Sequence, residues 1–548
     1  MTPDRKIKII ASVAWALFLG ILELPLRLWR DVLAPLWSDP LRPVWGLDPP
    51  APYKSQRQHD ADVKEIIEHL KKARESGKEV VIGRKVGEGH SARSGRYKEK
   101  AFRVDMTKLD SVLELDVESR RAVCEPFVSF SALSSLTLPH NLLPLVVPEF
   151  RRITVGGAIQ GLGIESTSYR NSTFDTTLVD TTLLTGRGDV IRSSEHPRLW
   201  RSVPGSNGTV ALTLSTEVKL TPATEWVRLR YVKYASPLEF TRESNRKVEE
   251  YNRGEKEENW IGNDKLMDGV GFPWGTIGMF GGCVTKEDAR RLHRSGMPIY
   301  RQGPASDLYY RHIEDIGKGG GHVTPEAFEE HLEKYGELLH EELIPTPVYL
   351  FRYDRGGFWG ITALPKFFPS LASLLSNRIF HTVLTTLVST ATLYKIAMLV
   401  SDQTREGSAI LQDLDIPPSG VKKLLRWNDD TLGIWPLWLC PVACSQDKRT
   451  FGLGRSEDIK SVEDMYAMNV GVYGAPSNGG YPLFDANIQL EKLVASLGGK
   501  KALYAFVYSD REVFWSWYDA REYEELREEY GGKNVFMGLW EKVSKPMG

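Results

Sequence analysis

Between Thr154 and Ser166 the chain reads TVGGAIQGLGIES, with Gly156, Gly157, Gly161 and Gly163 inside eight residues. Few features constrain a fold more. Glycine admits backbone conformations closed to other residues and lets a second surface come against the main chain. A run of amides not shielded by side chains makes a nest for phosphate oxygens. The pattern is not GxGxxG, and no acidic residue is suitably placed after a following helix, so it is no dinucleotide fingerprint of the Rossmann kind. Taken alone it reads equally as a glycine turn crowded by packing. Two more loops of the same texture flank it, Gly87 to Arg93 (GEGHSAR) and Val203 to Ala211 (VPGSNGTVA). Three such loops, separated by short strands, can wrap a large diphosphate cofactor.

The chain has 548 residues, which predicts two to four domains. At 41% apolar and 26% charged residues it is globular, not disordered, collagenous or polytopic. Seventy basic residues against seventy-one acidic ones speak against a nucleic-acid binder. Four cysteines cannot be a disulfide framework, and the expected compartment is reducing. Ile9 to Leu22 is an unbroken apolar and small run, preceded by Arg5, Lys6 and Lys8 and followed by Arg27, Trp29 and Arg30. It reads as a membrane anchor, spanning or interfacial, rather than as a signal peptide, because no small-residue cleavage site follows at once. A second apolar stretch, Phe367 to Val400, is interrupted by Pro369, Arg378, His381 and Lys395. It reads as a buried or surface-seated helical pair, with a monotopic membrane contact as the other reading.

A proline-rich linker follows Asp39. Apolar spacing from Asp60 to Glu75 predicts an amphipathic helix stopped at Gly77. Short strands are expected over Glu79–Ile82, Phe102–Val104, Val112–Asp116 and Arg121–Cys124, with a helix over Ser129–Leu138. Gly186 to Asp189 joins two strands of a hairpin. From about Trp226 charged helical segments (Lys286–Arg294, Pro325–Leu343, Asp485–Leu497, Asp519–Tyr530) alternate with aromatic strands (Ile434–Leu439, Ala467–Tyr473, Ala502–Tyr508).

The order of the three glycine loops resembles the flavin-binding domain of the vanillyl-alcohol-oxidase type. VVPEF followed by TVGGAIQGLGIESTS is similar to the signature of the Δ24-sterol reductase family. The similarity recurs in family order at Val112–Asp116, Val123–Pro126, Ile434–Pro441 (IWPLWLCP), Gly471–Gly474, Leu503–Ala505, Arg511–Trp515, and Tyr523 with Leu526 and Arg527. The resemblance implies an α+β chain: an N-terminal membrane-anchor helix (1–38), a linker (39–58), a PCMH-type FAD-binding domain of two α+β subdomains (59–225), and an α+β substrate-binding cap (226–548). It implies FAD as cofactor, NADPH as electron donor, a sterol or triterpenoid substrate and the endoplasmic reticulum membrane. The reaction implied is reduction of the C24–C25 double bond of a sterol side chain. Oligomeric state stays open. The family's FAD loop maps onto Thr154, Val155, Gly156, Gly157, Ala158, Ile159, Gln160, Gly161, Leu162, Gly163, Ile164, Glu165 and Ser166. Gly205, Ser206, Gly208 and Ser91 of the flanking loops are the further cofactor candidates. His90 stands where the wider superfamily attaches flavin covalently, a linkage these reductases do not use.

An isolated alkene is a poor hydride acceptor, so its reduction needs an acid beside one carbon and a dry apolar sleeve. Candidate acids are Tyr473 first, then Tyr353, Asp354, Tyr504 and Tyr508. Arg352 is the candidate for stabilising a reduced flavin, and Glu165 for holding the loop. Each reads otherwise as a packed core tyrosine or an ion pair. His340-Glu-Glu-Leu-Ile lacks the second histidine of HExxH, so no zinc hydrolase and no metal site is expected. Two other readings remain: a flavin-linked oxidase of terpenoid metabolism, and a non-catalytic membrane sterol-binding scaffold.

Overall fold

The computed structural model describes residues 47–83, 93, 100–254, 259–303, 306–321, 337–387, 390, 407–444, 449–452, 466–478 and 482–545. The expected anchor, His90 and Ser91 lie outside the described residues. Among the described residues no helix is long and apolar enough to cross a membrane.

Helix Gln56–Glu75 opens on a capping box between Ser55 and Gln58 and buries Val63, Ile66, Leu70 and Ala73. It packs on a parallel pair, Val80–Gly83 beside Phe102–Asp105. Next to this lies an antiparallel sheet in the order Val112–Asp116, Arg121–Cys124, Leu212–Pro222, Leu178–Leu184, Val190–Arg192, with Leu142–Pro144 also on Leu212–Pro222. A second, eight-stranded antiparallel sheet follows. Its order is Glu337–Pro345, Trp226–Tyr234, Gly275–Val284, Leu266–Phe272, Leu437–Ala443, Tyr466–Gly474, Ile410–Ile416, Lys500–Lys501. The two sheets change over between Pro222 and Trp226. Helices and sheets are thus both present in each half, an α+β arrangement.

Three segments depart from expectation. The described part of Pro325–Leu343 is strand, not helix. Glu337–Pro345 pairs along Trp226–Tyr234 and buries most of its side chains, so edge pairing overrides the helix propensity of its Glu and Leu residues. Ala502–Tyr508 is not a strand. The chain turns away after Lys501 because the Glu491 carboxylate takes the amides of Tyr508 and Ser509. The C-terminal residues do not stay with the second sheet. Phe514, Tyr523, Leu539 and Val543 pack on Leu183, Leu199, Val203 and Val210 of the first half, and Val80 donates its amide to Val535 O (2.7 Å). Of the second apolar stretch, Ala372–Leu375 and Arg378–Leu387 are short helices, with Leu371, Leu374, Ile379 and Val383 exposed.

Candidate active site

The glycine stretch is a short helix, not an open loop. Thr154 caps it, its Oγ1 accepting from the Gly157 amide at 3.1 Å, and the helix runs Val155–Gly161. Leu162 closes it in the left-handed conformation (φ 56°). The amides expected to lie open are used internally: Val155 donates to Val128 O and Gly156 to Pro126 O, both at 2.9 Å. The glycines serve close approach. A Cβ on Gly156 would lie 2.6 Å from the Pro126 Cβ, and one on Gly163 would lie 2.9 Å from Ala158 Cβ and Pro148 Cγ. On Gly161 a Cβ would meet nothing within 4 Å among the described residues.

The flanking loops converge on this helix. Gly205 donates to Ile159 O (3.1 Å), while the Gln160 Oε1 accepts from Gly208 N (2.6 Å) and Ser206 Oγ (3.1 Å). Arg93, from the first glycine loop, donates to Asn207 Oδ1 (3.0 Å) and Lys542 O (2.9 Å). The third loop thus meets the helix, and Arg93, the described residue of the first loop, joins the third loop through Asn207.

Their open side forms one wall of a cavity of about 560 Å³. Thr154, Gly156, Gly157, Ala158, Gln160, Gly161, Leu162, Gly163, Ile164 and Gly205 line it. Val155 and Ile159 point into the core instead, and Glu165, Ser166 and Ser206 are buried behind the wall. Gly208 supports Gln160. Basic side chains at Arg93, Arg103, Arg152, Lys500 and Lys542 add positive charge suited to a diphosphate.

The opposite wall comes from the second sheet and is acidic. In Ile410–Ile416 (ILQDLDI) side chains alternate, so Leu411, Asp413 and Asp415 share the cavity face. Antiparallel pairing sets Tyr473, Gly471 and Asn469 opposite them in turn. Tyr473 donates its hydroxyl to Asp413, and Tyr504 hydrogen-bonds the same carboxylate. Gly471 makes this possible: the Tyr473 ring lies across its α-carbon, and a Cβ there would sit 2.5 Å from Oη and 2.6 Å from Cζ. Burial pushes the Asp413 carboxyl up to about 6, against the pull of the two phenols. Burial likewise takes Asp415 to about 7 and Glu149, on the same cavity, to about 8. Burial and the Asp413 charge hold the Tyr473 phenol well above its usual range. The site therefore keeps protonated carboxyl groups near neutral pH.

Arg352 and Tyr353 do not line the cavity. Arg352 is fully buried one layer behind, paired with Glu165 (2.9 Å) and Asp268 (3.0 Å). Tyr353 donates to Asp268 Oδ2 (2.7 Å), and its ring stacks on Phe358, which does reach the cavity. Asp354 is tied to Arg151 (3.0 Å). Tyr508 packs near Glu491 through its amide. Thus Tyr473 and Tyr504 stand at the cavity, and Arg352, Tyr353 and Glu165 brace the loop behind it. Asp413, Asp415, Glu149 and Lys500 escape a sequence reading aimed at tyrosines; two acids at alternate positions of an apolar strand were the available signal.

FAD fits these walls. The side chains of Gln160 (Nε2), Thr213 (Oγ1) and Asn469 (Oδ1) line the cavity, and among the described residues none of these buried atoms has a hydrogen-bond partner. Buried polar atoms are seldom left so, and a polar ligand would satisfy them.

The FAD binding domain family matches residues 61–194. The Delta(24)-sterol reductase of Pisum sativum is 27% identical over 520 residues, covering 89% of this chain and 85% of that protein. The human protein of that name is 26% identical over 507 residues (89% and 87%), and the Arabidopsis thaliana one 26% over 526 (90% and 86%).

Proposed function

The chain is a homologue of the Delta(24)-sterol reductases and an FAD-dependent oxidoreductase, and from that premise we propose that it reduces the C24–C25 double bond of a sterol side chain. The observation that carries the reading is the Asp413–Tyr473–Tyr504 cluster facing the glycine wall across one cavity. Reduction of an unactivated alkene consumes a proton and a hydride, and the two must arrive on adjacent carbons. FAD, when bound, supplies the hydride chemistry, with NADPH as the proposed source of its electrons. Gln160, Thr213 and the glycine backbone would hold it, with the basic side chains of the cavity against its phosphates.

The chain's own task is the proton. A phenol held as far above its usual range as Tyr473 gives up a proton only if another replaces it at once. Asp413 is placed to do so: once its carboxyl is protonated the hydrogen bond between them reverses, and Asp413 passes a proton to the Tyr473 oxygen as the phenol hydrogen moves to substrate. Asp415 on the same wall, and Glu149 elsewhere on the cavity, hold further protons. Phe358, Trp438 and Leu411 give the cavity its apolar side, which excludes water from the developing cation. The apolar run Ile9 to Leu22 supports placement at the endoplasmic reticulum membrane, where such substrates dissolve.

Product analysis by mass spectrometry tests the proposal. Full-length protein with FAD and NADPH should add two hydrogens to desmosterol. Consumption of oxygen with NADPH and an unchanged sterol would instead favour the oxidase reading.

A further inference from the structure

We infer that the second sheet carries a divalent transition-metal site, best suited to zinc, formed by His312, His340 and Glu342. The motif His340-Glu-Glu-Leu-Ile lacks its second histidine in sequence, but the fold supplies one from elsewhere. His340 and Glu342 sit at alternate positions of strand Glu337–Pro345 and so share a face. Helix Tyr309–Asp315 lies over that face and brings down His312. The His312 Nε2 stands 2.9 Å from Glu342 Oε1, and the His340 Nε2 stands 3.1 Å from Oε2. One donor atom from each of the three residues lies within 4.8 Å of the others.

Zinc bonds to imidazole nitrogen and carboxylate oxygen at about 2.0–2.2 Å, which sets tetrahedral ligand edges near about 3.3 Å. The two nitrogen–oxygen separations are within a few tenths of an ångström of such an edge. A shift of that size opens room for the ion. Nitrogen with oxygen donors and no sulfur suits zinc better than copper(I), and two imidazoles disfavour magnesium or calcium. Three protein ligands leave a fourth position for water.

The surroundings are those of an ordered ligand set. Tyr231 donates its hydroxyl to Glu342 and is itself hydrogen-bonded to Tyr309 at 2.8 Å, an outer layer that fixes the carboxylate. The ring of Tyr300 lies 4.5 Å from that of His312. Glu342 and His340 are buried, while the His312 side chain keeps 27% of its surface exposed and gives an ion its way in. A single imidazole and the Tyr231 hydroxyl would suffice to pair a buried carboxylate. A second imidazole aimed at the same group is what a three-ligand cation site requires. Such an ion would pin helix Tyr309–Asp315 to strand Glu337–Pro345, a structural role.

The test is metal content by atomic emission after equilibrium dialysis of the full-length, FAD-loaded protein against zinc. About one zinc per chain is expected, held at micromolar free metal or below. The His312→Ala/His340→Ala variant should lose it, whereas Asp413→Asn should keep it. Zinc-edge X-ray absorption of the unmodified protein provides the check if the double variant fails to fold: two imidazoles with oxygen ligands and no sulfur are expected. Absence of stoichiometric zinc, retention of zinc by a folded double variant, or a sulfur shell overturns the inference.

Discussion

Replacing Gly471 by alanine adds one methyl group and removes no polar atom, yet it should disable the proton path. The new Cβ would lie 2.5 Å from the Tyr473 Oη, 2.6 Å from Cζ and 2.8 Å from Cε2. Comfortable carbon contacts are about 3.5–4.0 Å, so the phenol must move by about 1 Å or more. Gly471 is paired on both sides, with Asp413 on one strand and Trp438 on the other, so the backbone cannot yield instead. The hydrogen bond to Asp413 breaks, which costs about 1–3 kcal/mol of stability for a buried polar partner left unmet. If that contact delivers the proton, kcat falls by about 100-fold or more, the usual worth of a placed acid. FAD content should not change. Single-turnover rates for Gly471→Ala, Tyr473→Phe and the double variant give the decisive comparison. Because both changes sever the same link, the double variant should be little slower than either single one. An alanine variant with unaltered turnover, beside a slow Tyr473→Phe, would refute the idea that Gly471 sets the phenol in place.

Asp413→Asn should lower turnover to a similar degree. In the unmodified protein kcat/KM should fall above about pH 6 as Asp413 loses its proton, and a pH–rate profile of the variant should lack that limb. The apo protein should lose stability as pH rises. Asp413, Asp415 and Glu149 have raised carboxyls, so the folded chain binds protons that the unfolded chain has released, and their contribution, complete below about pH 4, disappears through about 6 to 8; urea titrations at pH 5 and 8 measure it. Arg352→Met should cost about 3–5 kcal/mol, because Glu165 and Asp268 would be left as buried carboxylates without their shared cation; thermal unfolding of the FAD-free variant reads this apart from activity.

The first half was largely legible because its signals are local. Glycine spacing, strand alternation and the Gly77 stop each act within a few residues, and the strands from Val112 to Cys124 lie where the pattern puts them. What sequence could not supply is which amides are already taken. Gly156 and Gly157 look open in a string, but Pro126 and Thr154 occupy them in space. The same limit hid Asp413, whose partner Tyr473 lies sixty residues on and meets it only through sheet register. Arg352 reads in sequence as a stabiliser of the reduced flavin, but its two carboxylate partners, Glu165 and Asp268, come from distant segments and draw it behind the wall.

The most direct test of the account is anaerobic stopped-flow of the FAD-loaded, pre-reduced protein mixed with desmosterol. The account predicts that the flavin absorbance returns in a single phase, that the saturated sterol cholesterol does not restore it, and that Asp413→Asn slows it by about 100-fold. A flavin that stays reduced in the presence of the olefin, or a protein that retains no flavin, would contradict it.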